Sequence, residues 1–436
     1  MNSKTLLGEF FRYTIPNVCG MIGLSCYIFA DTLFVSRGLG ADGLTALNLA
    51  IPIYSFVHGS GLMLGMGGAT KYSILRGQKD DSSANRVFTN TIYLTAVAAI
   101  IFLFLGIFFP GSLTGFLGAN RDVFDMTRTY IQFILLFAPA FMMNDVFLCF
   151  VRNDGAPRLA MTAMLIGSLS NIILDYIFIF PLQLGILGAV LATGFAPLIS
   201  MGVLAKHRIL GRNHFHLMKS EISPKMTASI LSLGIPSLIA EVASGIVMIV
   251  FNIIILRLRG NIGVAAYGVV ANLSLVITSI YTGIAQGIQP VISGSYGCGD
   301  NNSAKKIFQY AIITMLFLSS CLYLTFWICA NPIAELFNSE RNIRLQQLAV
   351  IGLKLYFTAI PFVGFNIILS MYFTSTEKAV PAQAVSLTRG FLLILPMAFL
   401  LSFFAGMTGV WLSYPITEGL TALMGLILYQ RLLKTA

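Results

Sequence analysis

Long stretches of apolar residues dominate the chain and limit what it can fold into. Three of them, Ile92–Phe109, Ile307–Ala330 and Phe391–Gly406, are apolar for nearly their whole length. A helix of about 20 such residues crosses the hydrocarbon core of a bilayer. Of the 436 residues, 57% are hydrophobic and only 10% are charged, whereas a soluble domain carries about 25% charged residues. The sequence therefore predicts an all-α integral membrane protein.

Twelve helical spans follow from the apolar runs and the polar breaks between them. Several of these spans are long enough to tilt in the membrane or to project beyond it. The predicted spans cover residues 10–36, 46–75, 87–109, 124–151, 158–180, 186–205, 227–256, 264–295, 305–329, 343–373, 381–402 and 407–430.

Lys and Arg residues are concentrated on one side of these spans, the side that holds the N-terminus. The positive-inside rule then places both termini in the cytoplasm of a multi-pass plasma-membrane protein. The net charge of +10 is thus explained by topology, and we expect membrane lipids and no nucleic acid as partners. The first apolar stretch is too long for a signal peptide, so we expect the first span to be retained.

The chain repeats itself with an offset of about 220 residues. Pro16 falls on Pro236 and Gly40 on Gly260, and further along Gly185 meets Gly406. Each repeat holds six spans, so the two halves run in the same sense about an axis along the membrane normal. We predict an N-terminal six-helix lobe (1–205), a cytoplasmic linker (206–226) and a C-terminal six-helix lobe (227–436). Such an architecture usually carries substrate between its lobes.

Catalytic and metal-binding motifs are missing from the sequence. It contains no HExxH, GxSxG or Walker motif, so we expect no enzyme activity. The six cysteines lack the spacing of a zinc site, and the His214–His216 pair is a weak candidate on its own, so no metal is expected. The glycine-rich run 65–68 lies in an apolar span, where it predicts close helix packing.

Carboxyl groups inside the predicted spans are the first candidate functional residues, because a bare charge in hydrocarbon is costly. Asp31 lies one helical turn after Tyr27, whose phenol could hydrogen-bond its carboxyl, and Asp175 lies one turn after Asn171. The two pairs predict a polar pocket in the first lobe, to which Thr193 could add a hydroxyl. A structural hydrogen-bonded cluster is the alternative. A carboxyl group that binds either a proton or a cationic solute would couple the export of one to the import of the other.

The second half holds three further candidates. Glu241, Lys354 and Glu418 lie inside the seventh, tenth and twelfth predicted spans. Lys354 is too deep for its ammonium to reach the interface easily, so we expect it to pair with Glu241 or Glu418. A structural ion pair and a transport role remain equally open for these three. We expect a structural role for Asp145, and expect Arg389 to snorkel or to cap a neighbouring helix.

Five segments, taken together and in order, resemble a known family. They are ADTLFV at 30–35, GMGGATKYS at 65–73, FVRNDGAPRLAM at 150–161, NIILD at 171–175 and GVWLSYP at 409–415. Over nearly its whole length the chain resembles the multidrug and toxic compound extrusion (MATE) transporters. The resemblance is closest to their bacterial and archaeal branch of DinF-like and MepA-like exporters.

The resemblance implies a V-shaped pair of six-helix bundles that work by alternating access as a secondary active antiporter. It implies export of amphipathic organic cations or drugs in exchange for protons or sodium, without another cofactor, and we expect protons and a monomer. Pro16 matches a bend position in the first helix, and Glu241 falls where another branch places an acidic residue. The positions that match the ion-coupling site of the branch are Tyr27, Asp31, Asn171, Asp175 and Thr193.

Two other functions remain open. Related folds move lipids, so the chain could be a flippase or exporter of a lipid-linked or other metabolite, although such a cargo would favour a basic cavity for its phosphate. Five acids against two bases inside the spans favour a cationic cargo instead. A membrane enzyme is the less favoured alternative, since it would need a catalytic metal or nucleophile.

Overall fold

The computed structural model describes residues 3–219, 221–338 and 342–435, which form helices and no β-strand. The predicted all-α membrane fold is confirmed. A 3₁₀ turn covers Phe357–Ala359 and a π-helical turn covers Thr388–Leu392. The α-helices are α1 (Ser3–Gly77), α2 (Asp81–Phe108), α3 (Pro110–Phe116), α4 (Phe124–Leu136), α5 (Ala138–Asn153), α6 (Pro157–Ile179), α7 (Gly185–Ile209), α8 (Pro224–Gly297), α9 (Asn301–Ile328), α10 (Ala330–Leu336), α11 (Ile343–Tyr356), α12 (Ile360–Ser375), α13 (Ala379–Leu387) and α14 (Ile394–Thr435).

Three of the long helices turn back on themselves at a glycine. Gly40 in α1, Gly260 in α8 and Gly406 in α14 have φ angles of 68°, 62° and 55°, a region that side chains with a Cβ rarely adopt. On a straight helix the residues Tyr27 and Tyr54 would lie about 40 Å apart, yet their hydroxyls are 3.2 Å apart. The helix α1 is therefore two antiparallel spans joined at Gly40.

The number of membrane crossings follows from these turns. Eight helical stretches of the described residues are long and apolar enough to cross a membrane, and the bent pair α4–α5 makes a ninth. Three of these, α1, α8 and the stretch 379–432, turn at a glycine and supply two crossings each. Counted in this way, the described residues make the twelve crossings that the sequence predicts.

One span in each half is broken at the same place in the repeat. The helices α4 and α5 meet at an angle of 48°, and α11 and α12 are separated by the 3₁₀ turn. The helix after each break carries proline at its second position, Pro139 in α5 and Pro361 in α12. Proline suits the start of a helix, where its missing N–H would have no partner. At Pro16, the bend position that the resemblance implies, the helix continues, and the residue of α1 with non-helical angles is Gly40.

The apolar core is divided in two. One cluster of buried residues is drawn from positions 35–230 and the other mainly from positions 251–411. Each core also takes residues from the other half, because Leu6 and Phe10 of α1 pack into the second cluster and Ile230 of α8 packs into the first. These two cores agree with a division into lobes, whose limits of 1–205, 206–226 and 227–436 stay a prediction.

The halves join at the end of the molecule where α1 and α8 begin. A Cβ added at Gly67 would collide with the backbone of Ile230, and one added at Gly287 would collide with that of Thr14. Small residues of this kind allow helix backbones to approach closely. The close packing predicted for the run 65–68 is therefore confirmed: Gly67 packs against the other half of the chain, whereas Gly65 and Gly68 pack against α5 and α2 of the first half.

Candidate functional site

Five buried polar residues from four helices form a cluster inside the first half. Asp31 lies on α1, Tyr130 on α4, Asn171 and Asp175 on α6, and Thr193 on α7, and none is more than 8% exposed. We call these five residues the carboxyl cluster. The sequence predicted four of its members from their positions within apolar spans.

Asn171 connects the two helices that carry Asp175 and Thr193. In the amide orientation that satisfies both of its polar atoms, its nitrogen donates to Asp175 Oδ2 at 3.0 Å and its oxygen accepts from the Thr193 backbone N–H at 3.2 Å. Asn171 lies one turn before Asp175 on the same face of α6, as the sequence predicts. The amide therefore holds the Asp175 carboxyl and connects α6 to α7.

Asp31 and Asp175 lie close enough to interact electrostatically. Each keeps one buried oxygen, Oδ1, without a partner among the described residues. Two carboxylates in contact repel each other strongly when both are ionised. A proton shared between them, or a small cation held between them, would remove this repulsion, so the cluster has the chemistry of an ion-binding site.

Tyr27 takes a different partner from the expected one. Its hydroxyl lies 3.2 Å from that of Tyr54, so the hydrogen bond expected between Tyr27 and Asp31 is wrong. The turn at Gly40 brings the second arm of α1 alongside the first and supplies Tyr54 as the nearer partner. Tyr27 lies one turn before Asp31 on α1 and lines the cavity described next.

A cavity of about 430 Å³ lies between the two halves. Thr193 of the carboxyl cluster lines it, and so does Tyr27, which lies one turn before Asp31, whereas Asp31 and Asp175 are not among the described residues of its lining. A side chain that moves at Tyr27 or Thr193 would thus connect the two spaces. The charged or ionisable residues that line the cavity are His58, Asp145, Arg152, Glu241, Arg389 and Glu418, together with several tyrosines.

His58 brings the two halves together at the middle of this cavity. Its Nδ1 lies 3.0 Å from Asp145 Oδ2 on α5, and its ring stacks on Tyr54 with centroids 5.7 Å apart. Glu241 on α8 packs against Gly59, the next residue after His58, and is close enough to His58 to interact electrostatically. The sequence analysis expected a structural role for Asp145, and the structure places it in the wall of the cavity.

Arg152 lines the cavity at the end where the two halves join. Its Nη1 donates to Asn17 Oδ1 at 2.9 Å and, across to the second half, to Gln286 Oε1 at 2.6 Å. Arg152 is only 2% exposed. It forms no ion pair with a carboxylate among the described residues, and its hydrogen bonds go to neutral acceptors. A buried guanidinium held by neutral acceptors retains its full charge.

The second half holds a closed ion pair. Glu418, 1% exposed, accepts from Nε and Nη2 of Arg389 at 3.1 and 2.9 Å and from Asn366 Nδ2 at 2.7 Å. The prediction that Arg389 snorkels or caps a helix is wrong, because the π-helical turn directs it inward. The pairing predicted for Lys354 is also wrong, since its ammonium lies 5.1 Å from the Trp327 ring centroid and Glu418 is occupied by Arg389.

The arrangement of repeated spans, shared cavity and buried carboxyl groups matches a known family. The model of the MatE family matches residues 16–177 and 236–400, and so takes in both halves. The chain belongs to the MATE transporter family. It is thus a multi-pass membrane transporter, and the family is one of transporters and not of enzymes.

Named relatives of this MATE transporter extend over nearly its whole length. The multidrug export protein MepA of Staphylococcus saprophyticus is 24% identical over 419 residues, which is 96% of this chain and 92% of the relative. MepA of Staphylococcus haemolyticus is 25% identical, covering 98% of this chain and 93% of that protein. The predicted membership of the family is confirmed.

Solved structures of other transporters have the same fold. The MATE transporter VcmN of Vibrio cholerae superposes with a TM-score of 0.91 at 21% identity, over 99% of this chain and 98% of that one. A MOP superfamily transporter from Pyrococcus furiosus gives a TM-score of 0.89 at 23% identity, over 97% and 95%. At these identities the likeness establishes the fold of the MATE transporter.

Three residues of the site in this MATE transporter are not predicted by the sequence. Tyr130 was one aromatic among many, and it contacts the cluster only because α4 packs against α7. His58 lies two helical turns beyond Ile51 in an apolar run, and a lone histidine there gave no signal. Arg152 directly follows the predicted span 124–151, and its position between the halves depends on tertiary packing that the sequence does not show.

Proposed function

We propose that the chain exports amphipathic organic cations by antiport, and that protons bound at the carboxyl cluster drive the transport. The observation that carries this proposal is the pair of buried, interacting carboxyl groups of Asp31 and Asp175, each with an oxygen that has no partner among the described residues, near a cavity that both halves line. The names of the relatives, multidrug export proteins, support a drug-like cargo. A monomer in the plasma membrane with both termini in the cytoplasm is part of the proposal.

The acidic and aromatic residues that line the cavity support a cationic, flat and hydrophobic cargo. Asp145 and Glu241 line the wall, and aromatic rings of Tyr27, Tyr54 and Phe141 surround them. Aromatic faces attract organic cations by cation–π interaction. A carboxylate partner completes such a site by neutralising the cargo in a place from which most water is excluded.

The carboxyl cluster supports proton coupling because one proton changes its charge and leaves its packing nearly unchanged. A proton that moves inward gains about 2.3 kcal/mol for each 100 mV of membrane potential. Binding of that proton by Asp31 and Asp175 removes the repulsion between them. Thr193, which bonds Asn171 through its backbone N–H, and Tyr27 both line the cavity and can transmit the resulting shift to the cargo.

Efflux of ethidium from membrane vesicles tests the proposal when proton and sodium gradients are imposed separately. We expect efflux to follow the proton gradient and to fall at least about tenfold in Asp31→Asn and in Asp175→Asn, since neither variant can lose a proton at that position. Asp122→Asn, at an exposed position of the outer loop, is the matched control.

Two results of this experiment would contradict the proposal. Full gradient-driven efflux in both variants would remove the cluster from the coupling mechanism. Efflux that follows only a sodium gradient and is lost in the variants would keep the site and replace the proton by sodium. Circular dichroism of the purified variants confirms that each has folded.

A second candidate function is the transfer of a cargo with an acidic group, such as a lipid-linked metabolite. Arg152 favours it, because this buried guanidinium lines the cavity and bonds only to neutral acceptors across the joint. Its presence also weakens the excess of acids counted in the sequence. If cationic dyes do not bind but an anionic lipid does, and Arg152→Gln abolishes that binding, this second function replaces the first.

A further inference from the structure

His58 lies at the centre of a group of residues that the carboxyl cluster does not include. It faces Asp145 of α5 at 3.0 Å, Glu241 of α8 from the other half, and Tyr54 one turn earlier in α1. Arg152 also lines the cavity, but its guanidinium donates its hydrogen bonds to Asn17 and Gln286. Carboxylates on two sides stabilise a protonated imidazole.

The Asp145 carboxyl has room for another partner. The carboxyl is 4% exposed and lines the cavity. Nδ1 of His58 lies at ion-pair distance from its Oδ2, but no described residue donates an aligned hydrogen bond to that oxygen. A buried carboxylate oxygen without an aligned donor is costly. A cationic group that reached it from the cavity would gain the interaction that the imidazole makes only in part.

The imidazole occupies the place that such a cargo group would take. Its ring is parallel to the phenol of Tyr54 within 12°, and Phe141 meets the other edge of Tyr54 with centroids 5.6 Å apart. A flat cation that binds to Asp145 and Glu241 must therefore stack beside or replace the His58 ring. The protonated ring and the cargo cation would repel each other at close range, since both approach the same Asp145 oxygen.

We propose that His58, Asp145 and Glu241 form a second exchange site, at which an organic cation displaces the proton of His58. This inference rests on the proposed export of cations. Binding of the cargo cation releases one proton from the imidazolium Nδ1 or Nε2 to water, and the ring becomes neutral. When the cargo leaves, the ring takes a proton from the side to which the cavity is then open.

The exchange at this site adds to the proton coupling at the carboxyl cluster, on which transport still depends. The cargo and the proton carry the same charge, so the total charge of the site is unchanged as one replaces the other. Because Glu241 belongs to the second half and His58 to the first, the occupant also bridges the two halves. The site is therefore never left with two unneutralised carboxylates while the halves move.

Titration calorimetry of the purified protein with ethidium tests the proposal. The same titration at pH 7 in two buffers of different ionisation enthalpy gives the number of protons released for each cation bound. We expect His58→Gln to release about one proton fewer than the native protein, as linkage requires when a titrating group is removed. His216→Gln, at an exposed position in the linker, is the matched control.

A second variant keeps the test decisive if His58→Gln does not fold. His58→Lys retains a positive charge that is not lost near neutral pH, so we expect it to bind ethidium at least about tenfold more weakly. Unchanged proton release in His58→Gln, or unchanged affinity in His58→Lys, would overturn the second exchange site and leave the proposed function intact. If the native protein binds no organic cation, both proposals fail together.

Discussion

At the scale of single residues, buried charges in this transporter fall into two kinds. The pair Arg389–Glu418 is closed, since its hydrogen bonds satisfy both Glu418 oxygens. Asp31, Asp175 and Asp145 each keep a buried oxygen without an aligned partner. A closed pair stabilises the fold only while both members are present, whereas an open carboxyl is free to bind a proton or a cargo.

The closed pair leads to a prediction about stability. Arg389→Met leaves Glu418 buried without its cation, and we expect it to lower the free energy of unfolding by about 3–5 kcal/mol. Arg389→Met combined with Glu418→Met should recover most of this loss, because no charge is then left unpaired. Denaturant unfolding in detergent measures both, with Arg121→Met at an exposed position as the control. A loss below about 1 kcal/mol in the single variant would mean that the pair is weak.

At the scale of helices, the sequence predicted the internal repeat better than it predicted the contacts between side chains of different helices. Pro139 and Pro361 match in the repeat, and both begin the second part of a broken span. Gly185 and Gly406 also match, and both have positive φ. Such residues report on backbone shape, which depends on local sequence. The partner of Lys354 could not be predicted, because it depends on where α9 carries Trp327.

The turn at Gly40 leads to a prediction that depends on the backbone angles alone, because an added side chain would meet no neighbouring atom. A Cβ at this position would meet no atom within 4 Å, but φ of 68° with ψ of −157° is a region open almost only to glycine. We expect Gly40→Ala to lower stability by about 1–3 kcal/mol. Gly8→Ala is the control, since it also has open space but helical angles. Equal thermal stability of the two variants would contradict this explanation of the turn.

The linker is held to the first half by the buried carboxyl of Asp154. This group accepts from Tyr72 at 2.7 Å and from the His214 backbone at 2.8 Å, and lies 2.8 Å from His207 Nε2. Burial alone would raise the pKa of Asp154, but these bonds from His207, His214 and Tyr72 outweigh it and lower the pKa below its usual range.

A pKa below the unfolded value means that the Asp154 contacts stabilise the fold fully above about pH 4. The contribution is lost as the pH falls through the lowered pKa. We therefore expect Asp154→Asn to reduce the melting temperature at pH 7, and expect the difference from the native protein to shrink below about pH 4. Melting curves across this range measure it. A difference that stays constant with pH would show that the carboxylate charge does not hold the linker.

At the scale of the whole molecule, the halves are joined at one end by side chains as well as by glycines. Lys71 of α1 forms an ion pair with Glu377 beyond α12, and Arg152 reaches Gln286. Alternating access requires these contacts to separate. The twofold design was readable from the sequence, whereas the joint was not, because its residues come from positions more than 100 apart.

This joint predicts the effect of a crosslink. With the six native cysteines replaced, Lys71→Cys and Glu377→Cys joined by a short reducible crosslinker should keep the halves together. We expect transport to fall by at least about tenfold and to return on reduction, since the contacts of the joint can then open again. Lys71→Cys alone with the reagent is the control. Undiminished transport in the crosslinked protein would show that this end of the molecule does not open.

The central claim is that the pair of carboxyl groups at Asp31 and Asp175 couples proton movement to cargo movement. Proteoliposomes that contain a pH-sensitive dye test it directly, when an ethidium gradient is imposed across their membrane and the internal pH is followed. The account predicts a pH change driven by the ethidium gradient in the native protein and in Asp122→Asn, and its loss in Asp175→Asn. A pH change of native size in Asp175→Asn would contradict the account.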